Sequence, residues 1–277
     1  MRYRRLLPAA VLALSGCAAT IDQSSFFPQA SAPPRTILAA PSGYSLDEAM
    51  IALPGLGRVH AVRLDNPASD ATIIYAGGNM SFVSGQSGRA TALAKATNAD
   101  IILYDYPGRG GTEVPATMDA SIAFGPSFME ALRAKGWVGR GPLFVYGFSF
   151  GGSQAANIAR DAGAAGLIIE GSAADIAAVG RNFVPGVMKP FVRLRVDPDL
   201  ARFDYLSYAV AAKAPVLLIM SEDDDVVRPR NMAAFADQLR ARGVSVTSVA
   251  VPGRHGSALE QPAAIVAIGD FVAKHGR

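Results

Sequence analysis

Short apolar runs recur along this chain at helix-length intervals, over residues 72–75, 101–104, 143–146, 167–169, 216–220 and 244–251. They are continuous rather than alternating, which suits strands covered on both faces, as in a parallel sheet. Between them lie Ala-rich stretches, over residues 88–98, 119–135, 154–162, 230–242 and 262–274. Their length and composition suit crossover helices. Upstream, residues 49–53 and 59–64 read as two antiparallel strands. This order predicts one α/β domain, doubly wound, with a mostly parallel sheet of about eight strands. In such sheets ligands bind beyond the carboxyl ends of the strands, so chemistry is sought in the segments that follow them.

Composition narrows the function classes. Half of the 277 residues are hydrophobic and 18% are charged, enough apolar material for a core and too little charge for a disordered chain. The single cysteine excludes a disulfide scaffold and a cysteine-based zinc site. The net charge of +3 is carried by Arg2, Arg4 and Arg5, and the rest of the chain is neutral. No basic helix or interleaving of aromatic and basic residues follows, so nucleic acid is not an expected partner.

The amino terminus reads as an address. Residues 1–5 are a positive segment, and residues 6–14 are an apolar run too short to span a membrane. Leu14-Ser15-Gly16-Cys17 follows. Positive segment, apolar run, small residues and cysteine come in the order that resembles a bacterial lipoprotein signal. That resemblance implies a signal peptide over 1–16, acylation of Cys17, and a membrane anchor of more than one chain. With Ala18 after the cysteine, it implies the outer membrane, facing the periplasm. The other reading is an ordinary secretory signal with a coincidental cysteine. Residues 17–40 are expected to be a lipidated tether, the alternative being an ordered arm over the domain at 41–277.

Gly147-Phe148-Ser149-Phe150-Gly151 directly follows the run at 143–146 and opens a helical segment. A G-x-S-x-G at a strand-to-helix turn suits a nucleophile elbow, with Ser149 as nucleophile. The bare pattern also fits a Gly-rich turn. A tetrahedral intermediate needs two fixed N–H donors. Phe150, next after the serine, offers one. The loop Tyr75-Ala-Gly-Gly-Asn79-Met80 offers the other, from Asn79 or, failing that, Met80. Of the three histidines, His60 falls within a strand and His275 at the C-terminus. His255, in Pro252-Gly-Arg-His-Gly256 after the last strand, is the candidate base. The orienting acid is expected in Ser221-Glu-Asp-Asp-Asp225-Val226, where spacing alone does not choose among the carboxylates.

Serine, acidic loop and histidine in this chain order resemble the α/β-hydrolase superfamily, over roughly residues 46–275. Asp105-Tyr-Pro-Gly-Arg-Gly-Gly111 is similar to the superfamily's D-Y-x-G-x-G segment. Tyr75 to Met80 is similar to its Y-x-H-G-N-A loop, with Gly77 in place of the histidine. The segment from Ala214 to Val227 is similar to A-P-V-L-x-I-x-G-x-x-D-x-V-V, with Ser221 in place of the glycine, and in that register the acid is Asp224. Asp223 and Asp225 are neighbours able to substitute. The resemblance implies an esterase-like, thioesterase-like or peptidase-like serine hydrolase acting on a small acyl substrate, without metal or cofactor. A rival class is a hydrolase-like lipoprotein that only binds a ligand or partner. An insert at about 173–213 breaks the strand–helix rhythm. It reads as a small cap, with Phe183, Met188 and Phe191 covering an acyl chain and Arg193 facing an anionic group.

Overall fold

The computed structural model describes residues 17–27 and 38–277. In chain order its strands are β1 (Cys17–Ile21), β2 (Ser45–Leu53), β3 (Gly57–Asp65), β4 (Thr72–Ala76), β5 (Asp100–Tyr104), β6 (Leu143–Phe148), β7 (Gly166–Glu170), β8 (Val192–Val196), β9 (Val216–Ser221) and β10 (Val246–Val251). The helices are α1 (Ser87–Thr97), α2 (Met118–Ala134), α3 (Phe150–Ala159), α4 (Ile176–Gly180), α5 (Pro198–Ala201), α6 (Tyr205–Ala211), α7 (Pro229–Arg240) and α8 (Pro262–His275).

Eight strands form one sheet in the order β10-β9-β7-β6-β4-β5-β3-β2. Only β2 with β3 and β3 with β5 are antiparallel. The apolar runs explain this arrangement residue by residue. Ile74, Ile102, Val145 and Leu218 point into one core, shared with Phe124 and Phe128 of α2 and Phe235 of α7. Their neighbours Ile73, Ile101, Phe144 and Leu217 point into the other, shared with Leu93 of α1 and Ile268 of α8. Each strand therefore needs apolar residues at consecutive positions, because successive side chains face opposite layers. All eight expected strands are in this sheet, and the doubly wound α/β fold is as read from the sequence.

The second, two-stranded sheet was not anticipated. β1 pairs in parallel with β8, from Cys17 opposite Val192 to Ile21 opposite Val196. β8 belongs to the insert, so residues 17–27 are fastened to the cap. Phe26 is buried there against Phe203 and Phe150. The first part of the expected tether is thus an ordered arm. Its apolar residues Ile21, Phe26 and Phe27, scattered among polar ones, gain more by packing than a free tether would. The segment expected as a signal peptide, 1–16, and residues 28–37 of the tether lie outside the described residues. Among the described residues no helix is long and apolar enough to cross a membrane.

Candidate active site

Ser149 joins β6 to α3 at φ 53°, ψ −122°, a left-handed region that a side chain seldom adopts. Such strain costs on the order of 1–3 kcal/mol and persists only where the surroundings enforce it. Here they do: Ser149 N–H donates to the Glu170 carbonyl of the adjacent β7 at 2.8 Å. The flanking glycines make room for the turn. A side chain on Gly147 would collide with the Gly151 backbone, and one on Gly151 with the carbonyls of Ala76 and Gly77. The sharp turn therefore needs glycine at both positions, and it stacks the elbow against the loop after β4.

The loops after β9 and β10 deliver the other two side chains. His255 Nε2 lies 2.9 Å from Ser149 Oγ, and His255 Nδ1 lies 2.8 Å from Asp224 Oδ2. Among the four successive carboxylates Glu222, Asp223, Asp224 and Asp225, only Asp224 is buried. Its other oxygen, Oδ1, accepts the N–H groups of Val226 at 2.9 Å and Val227 at 2.8 Å. These two bonds hold the carboxylate against the turn and leave Oδ2 for the imidazole. The three residues named from the sequence are thus brought into one hydrogen-bonded series. Asp223 and Asp225 point to solvent.

The loop after β4 lines the same cleft. Gly78, Asn79 and Met80 share a cavity of about 430 Å³ with Ser149 and His255. The backbone N–H groups of Asn79 and Phe150 have no acceptor among the described residues. The loop is held although it lacks a histidine at Gly77. Tyr106 Oη donates to the Gly77 carbonyl at 2.5 Å, and Arg109 donates to Asn79 Oδ1 at 2.8 Å. A second, more enclosed cavity of about 190 Å³ opens on the other side of Ser149 and is walled by Ile176, Val179, Phe203 and Phe26.

The cap residues singled out from the sequence lie elsewhere. Phe183, Met188, Phe191 and Arg193 line neither of these cavities and are exposed, Phe183 by 65%. The insert turns one side toward the enclosed cavity. Ile176 and Val179 of α4, together with Leu200 and Phe203, occupy that side, which leaves the segment at 183–193 on the outside.

A charged cluster behind the site was also missed. Arg89 donates to the Gly256 carbonyl, one residue after His255, at 2.7 Å and pairs with the buried Glu170 carboxylate. Tyr146 Oη donates to the same carboxylate at 2.6 Å. Burial, and after it the charge of Glu170, pushes the Tyr146 phenol well above its ordinary value. Burial, the largest single influence, would lower the Arg89 guanidinium; the Glu170 carboxylate together with the Tyr75 and Tyr146 phenols outweighs it and raises it. The guanidinium also lies 4.3 Å above the Phe148 ring, which packs on His255. The cluster thus braces the His255 loop against the elbow strand. Arg89 sits inside an Ala-rich helix, and only the rarity of a charge on that helix's inner face marks it in the sequence.

Comparison with known proteins agrees with this geometry. The sequence matches the alpha/beta hydrolase family over residues 76–268, more than half of the chain. The chain belongs to that family. No curated protein matches it in sequence. Among solved structures, an esterase of Pyrococcus furiosus superposes with a TM-score of 0.69 at 16% identity, covering 89% of this chain and 98% of the other. An esterase of Pyrobaculum calidifontis gives 0.59 at 21% identity, covering 84% and 87%. A thermostable esterase of Pseudomonas putida gives 0.60 at 19%, covering 85% and 84%. In this alpha/beta hydrolase the G-x-S-x-G elbow, the acidic loop and the histidine loop stand at the carboxyl ends of β6, β9 and β10. That is the edge where an open α/β sheet leaves space for a ligand.

Proposed function

We propose that this chain hydrolyses carboxylic esters or thioesters through an acyl-enzyme on Ser149. The observation that carries the reading is the Ser149–His255–Asp224 series, with spacings of 2.9 and 2.8 Å, at a strained elbow open to two cavities. His255 Nε2 takes the Ser149 proton as Oγ attacks the carbonyl carbon. Asp224 holds the imidazole with Nδ1–H toward it and stabilises the imidazolium. The amides of Phe150 and Asn79 receive the oxyanion, where a fixed donor is worth about 10²–10³ in kcat. His255 then protonates the leaving group, and a water it activates releases the acid. The esterases with the same fold support the choice of ester over amide chemistry.

The proposal includes attachment to the cell envelope. Acylation of Cys17, at the first residue of β1, would hold the cap against the outer membrane on its periplasmic side. The order of positive, apolar and small residues before Cys17 supports it.

A panel of p-nitrophenyl acyl esters, acyl thioesters and aminoacyl amides tests the reaction. Esters and thioesters are expected to turn over and amides not. Labelling by a fluorophosphonate probe is expected in wild type and absent in Ser149→Ala. Failure of both turnover and labelling in the wild type overturns the hydrolase reading. Incorporation of a fatty-acid analogue that is lost in Cys17→Ser tests the anchor.

A further inference from the structure

Two cavities meet at Ser149, and the proposed reaction distinguishes them. The leaving group must lie where His255 can protonate it. His255 lines the larger, open cavity and not the enclosed one. On that reading of the reaction, the leaving group occupies the open cleft and the acyl group the enclosed cavity beneath the cap.

The enclosed cavity has an unusual wall. Besides cap and elbow residues, it is lined by Ile21, Ser25 and Phe26 of the amino-terminal arm. Phe26 is buried with its ring 4.7 Å from that of Phe150, edge to face, and 5.0 Å from that of Phe203. The arm is fastened at both ends of the site. Toward the cap, β1 pairs with β8, and the Asp197 N–H donates to the Ile21 carbonyl at 2.9 Å. Toward the sheet, the Ser25 carbonyl accepts from Asn79 Nδ2 at 3.0 Å, and the Phe26 carbonyl accepts from Arg109 at 2.9 Å. Asn79 belongs to the loop that carries the proposed oxyanion donor. One segment therefore closes the cavity and steadies that loop.

We propose that residues 17–27 are part of the substrate-binding site, with the acyl group seated against this arm and Phe26 setting the length of chain admitted. The substrate class follows from the dimensions. At about 190 Å³ the cavity is smaller than the roughly 300–1,000 Å³ of common ligand sites, so it takes an acyl group of a few carbons. Its lining by Ile176, Val179, Leu200 and Phe203 offers no charged partner, so the acyl group is uncharged. The open cleft leaves the alcohol or thiol portion unrestricted in size.

The test is the acyl-length profile of kcat/KM, from acetyl to decanoyl p-nitrophenyl esters, on the full chain and its variants. Wild type is expected to fall off steeply beyond short acyl groups. In Phe26→Ala the octanoyl-to-acetyl ratio is expected to rise by about tenfold or more, the scale on which a hydrophobic pocket distinguishes single methylenes. In Phe26→Trp it is expected to fall. Phe26→Leu, a smaller truncation, carries the first arm of the test if Phe26→Ala does not fold. A purely structural role would change all esters by one common factor, and that result in the folded variants overturns the proposal. The two readings fail separately. Wild type without Ser149-dependent ester turnover refutes the hydrolase reading, whereas turnover with an unchanged length profile refutes only the role of the arm.

Discussion

This molecule contains two histidine–aspartate pairs of nearly the same geometry. His255 Nδ1 meets Asp224 Oδ2 at 2.8 Å, and His60 Nδ1 meets Asp105 Oδ2 at 2.6 Å. Both carboxylates are buried, and each accepts backbone N–H groups on its other oxygen, from Val226 and Val227 in one case and from Val83 in the other. The difference is at the far nitrogen. His255 Nε2 faces the Ser149 hydroxyl at 2.9 Å, a proton donor on an open cleft. His60 Nε2 faces the Glu48 carboxylate at 2.8 Å, an acceptor. A ring between a carboxylate and a hydroxyl can take a proton and return it. Two carboxylates favour the charged form of a ring between them, and His60 is accordingly raised above its ordinary value, first by the Asp105 hydrogen bond, with burial opposing and Glu48 assisting. An aspartate behind a histidine therefore does not make a base; what the second nitrogen faces decides.

Substitution at the two histidines separates these roles most sharply. His255→Ala is expected to lower kcat on an active ester by about 10⁴-fold or more, as loss of a triad member does. His60→Ala is expected to keep kcat within a few-fold of wild type. Equal losses in a steady-state ester assay would break the comparison. Asp224→Asn is expected to cost on the order of 10⁴-fold by favouring the wrong tautomer of His255. The exposed neighbours provide the control: Asp223→Asn and Asp225→Asn are expected to remain near wild type.

For the pair away from the site, the expected loss is in stability. Asp105 is buried and bonds both the His60 ring and the Val83 N–H. Removing the charge from such an acceptor costs about 1–3 kcal/mol. At about 2–4 °C per kcal/mol for a domain of this size, Asp105→Asn is expected to lower Tm by several degrees. Calorimetry and the ester assay together sharpen the contrast: Asp105→Asn should lower Tm with little change in kcat, and Asp224→Asn the reverse in emphasis.

The sequence made the sheet legible because its strands are buried on both faces, and continuous apolar runs such as Ile73-Ile74 or Leu217-Leu218 have few other uses. Ser149 and His255 were legible from glycine-rich loops directly after strands. Asp224 needed the family register, since burial, which separates it from its three acidic neighbours, is not written in the local sequence. The arm and cap were misread for a related reason. Phe26 and Phe183 are both aromatic residues in irregular segments, yet Phe26 is buried and Phe183 is 65% exposed. Their fates depend on the pairing of β1 with β8, which joins segments about 175 residues apart; the alternation from Val192 to Val196 marks a strand but does not say which segment it pairs with. Arg109 and Arg89 act through long-range bonds to Asn79 and Gly256, and such partners have no local signature.

The smallest effect expected is also the one most specific to the difference between the histidines. Because folding raises His60 above its ordinary value of 6.5, its charged form stabilises the fold. That contribution is complete below 6.5 and is lost as pH rises through the raised value. Glu48 is largely exposed, and solvent screening keeps its share small. The Tm gap between wild type and His60→Gln is therefore expected to be a few degrees at pH 5–6 and to narrow as pH increases. A gap that widens with pH would mean that the neutral ring is the stabilising form. His60 would then differ from His255 in its neighbours but not in its charge, and the distinction drawn between the two pairs would have to rest on solvent access alone.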